Sequence, residues 1–220
     1  MKFGRVGICL SGEETARERQ SRVVRAGGKW ENYVKLFLLE KLQGTDIKII
    51  EGSKIPKDSY LWKELSIPTK VSTIVESVWG DIDLVAVKDD IPLAIISCKL
   101  SLHGRFTETL FYSLLFRMMT KIKVILATPD AGRGQKEKWV SEWGTPEEPT
   151  KDRILAESYL DGVYVENVED FCPNIKPGEE TVLGGIVRSL DELPADLIRW
   201  AEEASRFIYH KRQKSLDTFK

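Results

Sequence analysis

The 220-residue sequence predicts an α/β fold: a mixed β-sheet flanked by helices, in which an antiparallel hairpin is joined by a parallel crossover strand. Three stretches carry that prediction. "IDLVAV" and "LAIISC" are β-rich apolar runs on either side of the turn-type segment "KDDIP", the pattern of a hairpin. "RFTETLFYSLLFRMM" follows as a helix, and "KVILATP" follows it as a buried strand. A strand–helix–strand order of this kind makes a parallel crossover, so the sheet is mixed.

The remaining elements follow in chain order. "SGEETARERQSRVVRAGG" reads as a helix with Ser11 at its N-cap, Glu14 three residues on, and Gly27-Gly28 as its stop. Arg17, Arg19, Arg22 and Arg25 line it, either as a solvated face or as a surface for phosphate. A second helix, "KWENYVKLFLLEKLQG", repeats Trp30, Tyr33, Val34, Phe37, Leu38 and Leu42 at helical spacing, so one side of it is buried. "DIKII" is a short strand. Residues 51–71 read as irregular around Pro56 and Pro68, with a short helix at "DSYLWKEL". The hairpin strands span 83–87 and 93–98, the helix 105–119 and the crossover strand 123–129. Beyond the basic loop "AGRGQKEK" come a helix at "DRILAESYLDG", a last strand at "VYVEN" and a terminal helix at "PADLIRWAEEASRFIYH". No repeat, low-complexity tract or linker divides the chain, so one domain over 1–220 is expected.

Composition narrows the functional classes. Basic and acidic residues number 33 and 34, so nothing draws the whole molecule towards nucleic acid, and any such affinity has to come from a local face. Three scattered cysteines without a CxxC, and only two histidines, exclude a disulfide framework and argue against structural zinc. The N-terminal apolar run is short and interrupted by Arg5, and no stretch is long enough to span a bilayer. A soluble cytoplasmic protein without membrane contact is the expectation.

The chemistry-bearing stretch is where "LAIISCK" ends. Asp83 begins one hairpin strand and Lys99 ends its antiparallel neighbour, so the hairpin folds both onto one edge of the sheet. An ordinary ion pair is one reading. The other is phosphodiester hydrolysis: a carboxylate that binds a divalent cation, and an ammonium that organises water or stabilises developing negative charge.

With those residues in view, "GDIDLVAV" followed by "IISCK" resembles the PD-(D/E)XK nuclease superfamily, whose core is a helix, a three-stranded meander, a helix and a further strand. That is the order over residues 30–129, and the resemblance implies a restriction-endonuclease-like fold. By position Asp83 matches the family aspartate, with Asp81 as its competitor, and Lys99 matches the lysine. Ser97 departs from the pattern, which places Glu or Asp there. In this it is similar to a subgroup of type II restriction endonucleases with a Ser-Cys-Lys strand, whose missing carboxylate comes from the next helix, thirteen to fourteen residues after the lysine. Here the position thirteen on is Tyr112, and Glu108, one turn earlier, is the only acid of that helix.

The resemblance implies Mg²⁺ held by Asp83, Glu108 and the backbone carbonyl of Cys98, with Glu31 on the first core helix assisting catalysis. It implies base reading by His103 and Arg105 in "LSLHGRF", duplex DNA as substrate, and a homodimer matched to a palindromic site. The expected activity is that of a Mg²⁺-dependent, site-specific type II restriction endonuclease. A structure-specific repair nuclease or resolvase, and a non-catalytic DNA-binding member of the fold, are the alternatives. Pro129-Asp130 is a literal "PD" but follows the lysine, and reads as a loop start.

Overall fold

The chain folds, in order, as α1 (Ala16–Lys41), β1 (Ile47–Glu51), α2 (Tyr60–Leu65), β2 (Ser66–Val71), β3 (Ile74–Trp79), β4 (Leu84–Lys88), β5 (Ile91–Cys98), α3 (Phe106–Met119), β6 (Lys123–Thr128), α4 (Lys151–Tyr159), β7 (Gly162–Val165), β8 (Val187–Ser189) and α5 (Leu193–Asp217). This computed structural model describes residues 16–71, 74–80, 82–102, 106–130, 132, 141–166 and 182–217, and no side chains within 16–24, 68–79 and 207–217. Ser11, Asp81, His103, Arg105, the basic loop at 133–140 and the side chains of Arg17, Arg19 and Arg22 lie outside what is described.

Six strands make one sheet in the order β1-β4-β5-β6-β7-β8, and β2 and β3 pair separately as a two-stranded ribbon. β1, β4 and β5 run antiparallel, whereas β5 to β8 run parallel. The sheet is therefore mixed and flanked by helices, as the sequence predicts. The side-chain alternation of strands sorts the core into two layers. Leu84, Ala86, Ala94, Ile96 and Cys98 face Trp30, Val34 and Leu38 of α1 and Leu193, Leu197 and Trp200 of α5. Val85, Val87, Ile95, Val124 and Leu126 face Leu65 of α2, Phe106 and Phe116 of α3, and Ala156 of α4.

Four expectations are corrected. The two N-terminal helices are one, because α1 runs unbroken through Gly27 and Gly28. A glycine stops a helix by entering the left-handed region, and neither Gly27 nor Gly28 has a positive φ; the turn that ends α1 uses Gly44 at φ 82°. The hairpin loop is two residues rather than five: Asp89 and Asp90 adopt φ of 50° and 61°, the conformation tight hairpins require, and aspartate tolerates it better than most residues. Ile91 and Pro92 belong to β5. Pro92 fits there because it lies at a register shift opposite Ala86–Val87 and before the pairing with β6, which starts at Ala94. Residues 66–71, read as irregular, form β2, and β7 is followed by the three-residue β8 at the sheet edge.

Candidate active site

The site lies where the parallel strands end. Leu84 pairs with Ile96, so Asp83 falls opposite Ser97 and one diagonal step from Lys99, on the α3 side of the sheet. The segment before β4 is held by a close backbone approach. Gly52 N–H donates to Asp83 O at 2.9 Å, and a Cβ on Gly52 would lie 2.0 Å from Ile82 O, so only glycine fits there. The Asp83 carboxylate then accepts from two donors at Oδ2, Cys98 N–H at 2.6 Å and Lys99 Nζ at 3.1 Å. Lys99 is only 6% exposed and Asp83 16%, so the ion pair is largely withdrawn from water.

Ser97, where the usual motif has an acid, is buried and shares a 3.1 Å hydrogen bond with Thr109 Oγ1 of α3. It ties strand to helix and offers no charge. Glu108 stands one residue earlier on α3. The crossover helix starts at the Lys99 end of β5, which puts Glu108 in its first turn at the correct end of the sheet, where the helix dipole favours a carboxylate. Its side chain is exposed and lines a shallow depression with Thr107, Phe111 and Tyr112, and the Tyr112 ring lies over Gly80.

Glu31 approaches from the other face. Trp30 Nε1 donates to Ala127 O at 3.0 Å, and Lys99 N–H donates to the same carbonyl at 3.0 Å. The α1 turn that carries Glu31 therefore meets the end of β5 over one atom of β6. Tyr33 extends the contact: it stacks on Trp30 and its hydroxyl donates to Glu166, just past β7. Burial pushes the Cys98 thiol well up, and the Asp83 and Glu31 carboxylates add to it while Lys99 opposes them. Both acids thus bear on the Cys98 end of β5. The Cys98 side chain itself lies in the α1–α5 core layer, which leaves its backbone as the group facing the site.

Asp83 and Lys99 are thus brought together at the end of β5, with the α1 turn that carries Glu31 packed there through Trp30 and Glu108 in the first turn of α3. Among the described residues, no three His, Cys, Asp or Glu side chains come together as a metal-ligand group. Asp83 and the Cys98 carbonyl, with one further carboxylate, would offer oxygen ligands alone, the kind Mg²⁺ takes with water completing its shell.

Sequence reasoning missed a second cluster. Asp130, read as a loop start, and Glu142, in a stretch without a motif, are both fully buried, and both are engaged with backbone N–H groups and serine hydroxyls. The one signal in the sequence is that the acid Glu142 is set among apolar residues, with Trp139 and Val140 before it and Trp143 directly after it.

No helix among the described residues is long and apolar enough to cross a membrane. The structure is similar to a solved one titled "Restriction endonuclease PspGI-substrate DNA complex", with 13% sequence identity and a TM-score of 0.47. That match covers 84% of this chain, which spans only 65% of the other chain's length. Among curated proteins no relative matches. The model of the family "BsaWI restriction endonuclease type 2" matches residues 53–181, a span that holds Asp83, Lys99, Glu108 and Glu142 but not Glu31. More than half of the chain lies within that match, and the chain belongs to the BsaWI type 2 restriction endonuclease family.

Proposed function

We propose that the protein is a Mg²⁺-dependent endonuclease that hydrolyses phosphodiester bonds of double-stranded DNA at a short specific sequence. The observation that carries the reading is the buried Asp83–Lys99 pair at the mouth of the parallel strands, in a chain of a restriction endonuclease family. In open α/β sheets, the crevice at the carboxyl ends of the strands is where ligands bind.

Asp83 anchors the metal, with the Cys98 carbonyl and a second carboxylate from Glu108 or Glu31. A divalent cation held there supplies charge neutralisation at the phosphate and a more acidic water. The rest is done by the chain. Cys98 N–H and Gly52 N–H keep Asp83 aimed at the strand end. Lys99, fixed through its own N–H to Ala127, presents an ammonium to the phosphate oxygens and the attacking water, where negative charge develops as the phosphorus–oxygen bond breaks. Partial burial strengthens that electrostatic interaction relative to bulk water. His103 and Arg105, in the three-residue span between Leu102 and α3, read base edges, arginine being suited to a bidentate grip on guanine. Two copies related by a two-fold axis match a palindromic site and cut both strands, and the enzyme works in the cytoplasm.

A second reading, a chain that binds DNA without cutting it, draws on the observation that no three potential ligands converge among the described residues. One experiment separates them. The purified protein is incubated with a long DNA of known sequence, with Mg²⁺ or with EDTA. Discrete metal-dependent fragments are expected, and their ends give the site. Nicks or a smear would favour a structure-specific nuclease, and intact DNA would favour the non-cutting reading.

A further inference from the structure

Lys99 lies one residue past the end of β5, and its backbone N–H donates to Ala127 O of β6 at 3.0 Å. The same carbonyl accepts from Trp30 Nε1 of α1, also at 3.0 Å, so one oxygen joins the Lys99 backbone to the opposite layer of the fold. Trp30 is fully buried, and an indole N–H in that setting has to find an acceptor. The acceptor it finds is the atom that also fixes Lys99. The Lys99 side chain leaves on the α3 side of the sheet, towards Asp83 Oδ2 at 3.1 Å, whereas Trp30 packs from the α1 side. Trp30 therefore supports Lys99 from behind, through the backbone.

Trp30 is held in turn. The Tyr33 ring stacks on it, with centroids 5.4 Å apart and planes inclined by 15°. The Tyr33 hydroxyl donates to Glu166 Oε1, and Glu166 N–H donates at 3.3 Å to the carbonyl of Thr128, the residue after Ala127. These contacts close a ring from Ala127 through Trp30, Tyr33 and Glu166 back to Thr128, and it fastens α1 to the end of β6. Glu166 is costly in this place. Its other oxygen, Oε2, is buried with no hydrogen-bond partner among the described residues, and an oxygen left so forfeits its solvation. Apolar packing of Trp30 on the sheet would need no such carboxylate, but a polar ring specifies one arrangement more sharply than packing does.

We infer that Trp30, with Tyr33 and Glu166 behind it, is a positioning residue: it fixes the Ala127 carbonyl and, through that carbonyl, the backbone from which the Lys99 ammonium reaches the phosphate. The inference rests on the proposed role of Lys99 in phosphodiester hydrolysis. An electrostatic contact to developing charge works by being in place before the reaction, and a small misplacement costs rate more than it costs binding. Loosening the ring should therefore slow cutting only while Lys99 is present.

The test is a double-mutant cycle read on single-turnover cutting of a duplex that carries the site mapped from wild-type fragments. W30F keeps an aromatic ring and removes the indole N–H. Y33F keeps the stacked ring and removes only the hydroxyl, and it decides the matter alone if W30F, a change in the core, does not fold. Each is made in the wild-type and in the K99A background. With Lys99 present, W30F should slow cutting about tenfold and Y33F about threefold, while affinity measured without Mg²⁺ changes less than about twofold. With Lys99 absent, neither should slow the residual cutting further. Hydrogen exchange of the Lys99 amide in the free protein should be about threefold faster in Y33F, as loosening of the ring requires. Equal slowing in both backgrounds is what a merely structural defect gives, and it overturns the inference. Unchanged exchange at Lys99 in Y33F, or wild-type cutting rates in the variants, overturns it as well. A wild-type protein that cuts no DNA is a different result: it sinks the nuclease reading and this inference with it.

Discussion

Replacing Asp83 by asparagine isolates the charge of the central pair. The amide keeps the size of the carboxylate and can still accept from Cys98 N–H, so the loss is that of Lys99's counter-ion. At a separation of 3.1 Å and an effective dielectric of about 20, the attraction is about 5 kcal/mol before desolvation. Removing one partner of a fully buried pair costs about 3–5 kcal/mol. Asp83 keeps 16% of its surface and Lys99 6%, so some water reaches the pair and the net cost should be about 2–3 kcal/mol. The assay is a double-mutant cycle in urea with Asp83→Asn, Lys99→Met and the two combined. A coupling of about 2 kcal/mol is expected, little changed by added salt, because buried pairs are weakly screened. A coupling below about 0.5 kcal/mol, lost in salt, is what a solvated surface pair gives, and it would refute the reasoning.

Three further outcomes follow. Gly27→Ala and Gly28→Ala should each stabilise by about 0.5–1 kcal/mol, since a Cβ at either position meets nothing within 4 Å; destabilisation in thermal melts would mean the helix breaks there after all. Burial raises the Glu166 carboxyl above its ordinary 4.5, against the hydrogen bond from Tyr33, so Glu166 costs stability above its folded value and none below the ordinary one. Stability should therefore fall as pH rises upward from about 4.5, and Glu166→Gln should flatten that decline in urea titrations; an unchanged slope would contradict it. Cys98, buried with its thiol pushed up, should resist alkylation in the native protein and react at the normal rate in urea, as mapped by mass spectrometry, and rapid native labelling would show the strand end to be open.

What could be read from the residues and what could not divides along physical lines. The Asp83–Lys99 approach was legible because it needs only an antiparallel hairpin, and the two apolar runs that make one are contiguous in sequence. The exact turn was not. Asp89 and Asp90 suffice for a tight loop, but whether Ile91 and Pro92 continue the strand depends on a register shift that only the partner strand defines. Gly27-Gly28 looked like a stop because local preference disfavours helix there, whereas Trp30, Val34 and Leu38 draw their stability from the sheet and carry the helix as one body. β8, three residues long, is a strand only by pairing with β7. The same holds for the site's supports. Glu142 accepts from residues forty positions away, and no spacing along the chain announces that. Glu31 could be placed on its helix by its neighbours, but the docking of its turn at the end of β5 depends on Trp30 reaching the Ala127 carbonyl.

The most direct test of the central claim is Lys99→Ala, assayed for both cutting and binding of a duplex carrying the mapped site. Removing one electrostatic contact to the developing charge should lower the single-turnover cleavage rate by about 10²–10³-fold, while affinity measured without Mg²⁺ changes only a few-fold. A Lys99→Ala protein that cuts at the wild-type rate would show that the ammonium at the end of β5 is only the structural partner of Asp83, and that the chemistry lies elsewhere.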